Sequence, residues 1–162
     1  MMATKAEIAG IMAVMEAAFD PAFGEAWTER QLASALLVPG TRFALIDAMG
    51  VIGPPSPGLP TAGFYLSRQI LDEEELLLIA VIPGQRGKGI ASRLIEHLLV
   101  NAAERGARRI FLEMREDNPA AQLYAKYGFE QIGLRPAYYK GADGTSRAAK
   151  TMAMPTGLRR QT

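Results

Sequence analysis

The sequence predicts a mixed α/β fold of one domain, with a mostly antiparallel sheet, a central parallel pair and helices on both faces. Three observations carry this. Leu76–Ile82 is an unbroken apolar run, the pattern of a strand covered on both faces. It leads through a glycine-rich turn, Pro83–Gly89, into a helix over 90–104, where Ile90, Leu94, Ile95, Leu98, Leu99 and Ala102 form one apolar stripe. Arg109–Arg115 then alternates strictly, with Ile110, Leu112 and Met114 on one side and Phe111, Glu113 and Arg115 on the other. Strand, turn, helix and strand in this order make a parallel βαβ unit.

The remaining elements follow in chain order. Ile8, Ile11, Met12, Met15 and Phe19 recur at helical spacing over 5–19, and Asp20-Pro21 ends that helix. Thr28, with Gln31 three residues on, predicts an N-cap with a capping box. Its helix runs to about Leu37, before Pro39-Gly40. Phe43–Ile46 predicts a short strand and 62–70 another. Between them Gly53–Pro60 is too rich in Pro and Gly for regular structure and reads as a surface loop. The carboxylate run Asp72–Glu75 predicts a solvated start to the apolar strand. Gly106 stops the central helix. Asn118-Pro119 opens a short helix to about Lys126, with Pro at an early position. The last strands, 128–134 and 148–154, are joined by Tyr138–Arg147. The domain spans 1–155, and 156–162 is a flexible polar tail.

Composition narrows the function classes. Of 162 residues, 49% are hydrophobic and 22% charged, an ordinary globular mix that argues against a disordered chain. A net charge of +1 lacks the basic surplus of a phosphate-gripping nucleic-acid binder. With no cysteine, disulfides, thiolate metal sites and a cysteine nucleophile are excluded; a single histidine leaves little for a transition metal. No apolar stretch reaches the roughly 18 residues of a membrane span, and Lys5, Glu7 and Glu16 interrupt the N-terminus where a signal peptide needs continuity. A cytoplasmic protein is expected, a monomer or weak homodimer, with no membrane, metal or direct nucleic-acid partner.

The strongest local signal is Arg86-Gly87-Lys88-Gly89-Ile90-Ala91, set between the apolar strand and the striped helix. Gly87 and Gly89 leave room for a ligand near the backbone. Free N–H groups at the start of the helix, with the helix dipole behind them, suit a pyrophosphate. Arg86 and Lys88 can add charge. The Gly-Lys-Ser/Thr ending of a P-loop and the dinucleotide G-x-G-x-x-G are both missing. The alternative is a tight turn that needs glycine for steric reasons alone.

Val81-Ile82-Pro83-Gly84-Gln85-Arg86-Gly87-Lys88-Gly89-Ile90-Ala91 resembles the coenzyme A signature of the GCN5-related N-acetyltransferase (GNAT) superfamily. Asn118 to Phe129, with Leu123-Tyr124 and Gly128-Phe129, resembles that family's second signature. Trp27-Thr28-Glu29, Leu71–Val81, Phe111-Leu112-Glu113-Met114-Arg115, and Tyr138-Tyr139 with Asp143-Gly144 narrow the resemblance to its ribosomal-protein-alanine N-acetyltransferase (RimI-like) branch. Similarity covers most of 25–154. One departure is visible: Asn118 to Tyr124 is a step of six residues, one short of the family pattern, whereas Tyr124 keeps its distance to Gly128-Phe129.

The resemblance implies acetyl-CoA as co-substrate and an N-acetyltransferase acting by direct transfer in a ternary complex. The implied acceptor is the N-terminal alanine amine of a ribosomal protein. Glu113 is then the general base; with the resemblance set aside, it reads as a surface carboxylate paired with Arg115. Tyr124 is the acid for the departing thiolate, or else a core tyrosine packed beside Leu123. Ile79, Ala80 and Val81 lie along the pantetheine arm, with an N–H near Val81 for the oxyanion. Arg86, Gly87, Lys88, Gly89, Ile90, Ala91, Ser92 and Asn118 complete the cofactor site. Trp27, Tyr138 and Tyr139 face the acceptor, or serve as a staple (Trp27) and sheet-edge packing (the tyrosines). His97, flanking the stripe, reads as a boundary side chain. A small-amine acetyltransferase (amino acid, polyamine or antibiotic) and a non-catalytic acyl-CoA-binding module are the alternatives.

Overall fold

A computed structural model describes residues 2–20, 24–140 and 144–157. Pro21, Asp143 and residues 158–162 of the expected tail lie outside the described residues. Two helices come first, α1 (Lys5–Ala18) and α2 (Glu29–Leu36), each opened by a threonine capping box. Thr28 with Gln31 matches expectation; Thr4 with Glu7 repeats the same reciprocal pair. Then follow β1 (Thr41–Asp47), β2 (Thr61–Ile70), β3 (Glu73–Val81), α3 (Ile90–Glu104), β4 (Arg109–Arg115), α4 (Ala121–Lys126), β5 (Glu130–Lys140) and β6 (Ser146–Pro155).

The sheet order is β1-β2-β3-β4-β6-β5. Every pairing is antiparallel except β3 with β4, so the parallel centre and antiparallel flanks stand as the sequence predicts. One face packs on α3, whose Leu94, Ile95 and Leu98 meet Ile46, Tyr65, Ile110, Leu112 and Met152. The other carries α1 and α2, whose Ile11, Val14, Met15 and Leu32 meet Leu45, Phe64 and Leu66.

Three features differ from expectation. Strand β5 continues through Lys140 instead of stopping at Leu134, so Tyr138 and Tyr139 belong to a strand. The chain absorbs Pro136-Ala137 as a bulge: Arg135 pairs with Ala149 and Tyr139 with Arg147. An edge strand tolerates Pro there because its missing N–H would face away from the ladder. Helix α4 starts at Ala121, with Asn118-Pro119 forming the preceding turn. Finally, the carboxylate run is not uniformly solvated.

Glu74 has no exposed surface. Its Oε1 accepts from Ser67 Oγ at 2.7 Å and from Arg105 Nη2 at 2.8 Å, and its Oε2 is unpartnered. Arg105 caps the end of α3, so the pair ties that helix to β3. Removing one member of such a pair strands the other. Glu74→Ala should lower unfolding free energy by about 2–4 kcal/mol, read as a lower urea midpoint at constant slope. A loss below about 0.5 kcal/mol, the range of ordinary surface changes, would show that Arg105 and Ser67 find other partners.

Candidate active site

Strands β3 and β4 pair only over Glu73–Leu76 and Arg109–Leu112. Beyond that, β3 stays with β2, β4 stays with β6, and the two diverge. Leu77, Leu78 and Ile79 are consequently half-buried where an unbroken sheet would cover them on both faces. The Ile82 N–H donates to Ala62 O at 2.8 Å. Alternation along an antiparallel strand then turns the N–H groups of Val81 and Ile79 away from β2, into the split.

Three adjoining cavities follow this split. One of 230 Å³ lies against the glycine turn. The next, 430 Å³, runs between Ile79–Val81 and Tyr124. The third, 280 Å³, is walled by Leu76–Ile79, Glu113, Tyr124, Tyr139 and Trp27. Val81, Arg86, Ala91 and Leu123 are common to the first pair; Phe19, Glu25, Ile79, Asn118 and Tyr124 are common to the second. The result is one trough leading from the turn to Glu113.

At its first end Gly87 and Gly89 have φ of 77° and 79°, left-handed conformations that glycine adopts without strain. A Cβ at either would meet no atom within 4 Å, so the backbone conformation, not crowding, demands glycine. Gly89 is the N-cap of α3 and supplies no side-chain cap, leaving the first N–H groups of Ile90, Ala91 and Ser92 without intrahelical acceptors. These donors, with Val81 and Ile79 further along, fit a pyrophosphate followed by an amide-bearing arm. Arg86 points inward: its Nε donates to Val81 O at 3.2 Å and its Nη2 to Ala18 O at 2.9 Å, fastening the end of α1 to the end of β3. Lys88 is exposed beside Gln85.

At the far end the alternation of β4 turns Glu113 away from Leu112 and Met114, toward the α1–α2 side. Its side chain is 25% exposed and its Oε2 meets Arg135 Nη2 at 3.0 Å. The expected Arg115 partner is engaged elsewhere, with Glu25 and Asp117. Tyr124 is 5% exposed and packs edge-on against Phe129 at 5.6 Å. Its hydroxyl has no hydrogen-bond partner among the described residues, although it lines two of the cavities. Burial first, and then the charge of Glu25, raise its pKa above that of an ordinary phenol. Tyr127, by contrast, bonds Glu96 at 2.9 Å.

Asn118 borders the trough, with Oδ1 accepting from Ala120 N–H at 3.0 Å. Trp27 lines the third cavity and packs with Leu32 in the α1–α2 core, so groove and staple coincide. Tyr139 lines that cavity too; burial lifts its pKa to about 12, with Glu113 and Glu25 adding to the effect. Tyr138 stands outside it, half exposed beneath Arg135. His97 is remote from the trough and bonded to Tyr65 OH at 2.8 Å; burial, then Arg105, lower its pKa.

Sequence reasoning passed over Glu25 and Arg135. Glu25 sits in the aperiodic stretch before Trp27, and Arg135 alternates on an edge strand like any solvated arginine. Only their long-range contacts single them out, and no local pattern encodes those.

Residues 59–131 match the model of the acetyltransferase (GNAT) domain. The chain is 36% identical over 91 residues to the [ribosomal protein bS18]-alanine N-acetyltransferase of Haemophilus influenzae, covering 56% of this chain and 62% of that protein. It is 37% identical over 98 residues to the enzyme of that name from Escherichia coli K12, covering 60% and 66%. The chain thus spans slightly less than two thirds of these curated relatives. The crystal structure of the ribosomal-protein-S18-alanine N-acetyltransferase from Escherichia coli superposes with a TM-score of 0.80 at 27% identity, over 100% of this chain and 96% of that one. With its split central sheet, uncapped glycine turn and matching signatures, the chain is similar to the GNAT acetyltransferases in both sequence and fold.

Proposed function

We propose that this chain is an acetyl-CoA-dependent N-acetyltransferase that acetylates the N-terminal alanine amine of a ribosomal protein. One observation carries the reading: the split between β3 and β4 runs from the free N–H groups at α3 to a cavity that Glu113 and the unpartnered Tyr124 hydroxyl both line. The names of the relatives support the choice of acceptor.

Acetyl-CoA supplies the activated acyl group as a thioester. An α-amino group of pKa about 7.7–8.0 is mostly protonated at neutral pH, so Glu113, directly or through a water, takes its proton. The amine nitrogen then bonds to the thioester carbon. The Val81 N–H faces the split where negative charge gathers on the carbonyl oxygen. As the carbon–sulfur bond breaks, Tyr124 O–H donates its proton toward the sulfur, and its raised pKa keeps that proton in place beforehand; the nitrogen, now bonded to the acyl carbon, gives up its second proton, which restores the tyrosine hydroxyl. The Arg135 contact with Glu113 is solvent-facing on the arginine side, 60% exposed, and pairs of that kind hold weakly, so an incoming ammonium can replace it. With no cysteine in the chain, a covalent acetyl-cysteine is ruled out, and direct transfer gives sequential kinetics.

The test is acetyl-CoA turnover against N-terminal peptides, amino acids and polyamines. Exclusive activity on peptides beginning with alanine is expected. Exclusive activity on polyamines would reverse the acceptor assignment, and coenzyme A binding without turnover on any amine would point to a non-catalytic module.

A further inference from the structure

We propose that Glu25, on the connection between α1 and α2, is the residue that receives the acceptor's ammonium group and aims its nitrogen at the thioester. The inference rests on the acetyltransferase reading above and names a residue that neither sequence signature contains.

Glu25 borders both the Glu113 cavity and the channel beside Ile79–Val81. It therefore stands where an amine must pass to reach the acyl carbon. A carboxylate on an irregular segment would ordinarily swing freely, but this one is fixed. Its Oε1 accepts from Arg115 Nη1; Arg115 in turn bonds Asp117, and Asp117 bonds Arg147 at 2.9 Å. The chain of alternating charge runs from β6 through the end of β4 to the loop. Arg115 is itself 7% exposed, which makes it a firm support. Glu25 Oε2 has no partner among the described residues and is left to accept a donor from the cavity.

Charge points the same way. Burial raises the pKa of Glu25 despite Arg115, so a single guanidinium does not offset its desolvation, and a second cation would. The negative charge also acts on Tyr124 and Tyr139, so it is felt at the reacting end of the trough. Glu113 keeps the proton-transfer role; Glu25 binds the cation. An ammonium held by Glu25 gives one proton to Glu113 and then presents its lone pair to the carbon between them.

The experiment compares two ligands in the presence of coenzyme A, by calorimetry. One is the amine that the wild-type protein acetylates fastest; the other is its analogue with hydrogen in place of the amino group. Glu25→Gln should weaken the amine by about tenfold or more, the scale of one charge-assisted hydrogen bond, while leaving the deaminated analogue and coenzyme A within about twofold. Glu25→Asp keeps the charge and should recover part of the preference for the amine. Equal weakening of both ligands would mean that Glu25 only shapes the loop, and unchanged affinity for both, or an Asp variant as indifferent as Gln, would overturn the proposal as well. If the wild-type protein acetylates no amine, the acetyltransferase reading falls first and this inference with it.

Discussion

Glu113→Gln should lower kcat by about 100-fold or more at neutral pH, the scale of general base catalysis. The amide keeps the shape of the side chain and can still accept from Arg135, so the fold and the mouth of the cavity persist. What disappears is a group able to take a proton. The deficit should shrink as pH rises past about 8, because solvent then deprotonates the α-amine without help. A kcat change below about threefold, against the 100-fold expected of a lost base, would remove Glu113 from the chemistry, and an equal deficit at every pH would assign it to positioning.

Tyr124→Phe should lower kcat by about 10- to 100-fold, within the span of proton-transfer catalysis, with the KM for acetyl-CoA nearly unchanged. Its stability signature separates acid from core tyrosine. The hydroxyl of Tyr124 has no partner among the described residues, so deleting it breaks no hydrogen bond and strands no neighbour. Thermal unfolding should stay level or rise slightly while turnover falls. An unchanged kcat would leave Tyr124 as packing beside Phe129. Since burial and Glu25 both raise its pKa, Tyr124 should contribute no loss of activity in the pH–rate profile below about pH 10, the ordinary phenol value.

The elements that announce themselves locally were readable. Helix α3 and strand β4 have the bounds their periodicity predicts, because apolar spacing is a local property that burial then enforces. The Thr28 capping box is equally local. The failures are all tertiary. The pattern of Leu76–Ile82 contains no sign that β4 abandons β3 after Leu76, since the register of a parallel pair is set by the packing of the crossover helix. The strand expected to end at Leu134 runs on to Lys140, with Pro136 taken up in a bulge, because β5 lies at an edge. Glu74 reads as solvated and is buried because Arg105, 31 residues away, reaches it. For the candidate site, resemblance nominated Glu113 and Tyr124, and the fold brings both to one cavity. Glu25 stayed invisible because its support, Arg115, lies 90 residues on.

The short ladder between Glu73–Leu76 and Arg109–Leu112 has a mechanical consequence. It leaves the molecule as two three-stranded ribbons, β1-β2-β3 and β4-β6-β5, joined by a brief seam and by the helix that straddles it. Each ribbon can open as its own foldon, and amide exchange should report two protection levels instead of one. A molecule lodged between the ribbons touches both and stitches them, so occupancy raises cooperativity as well as the melting point.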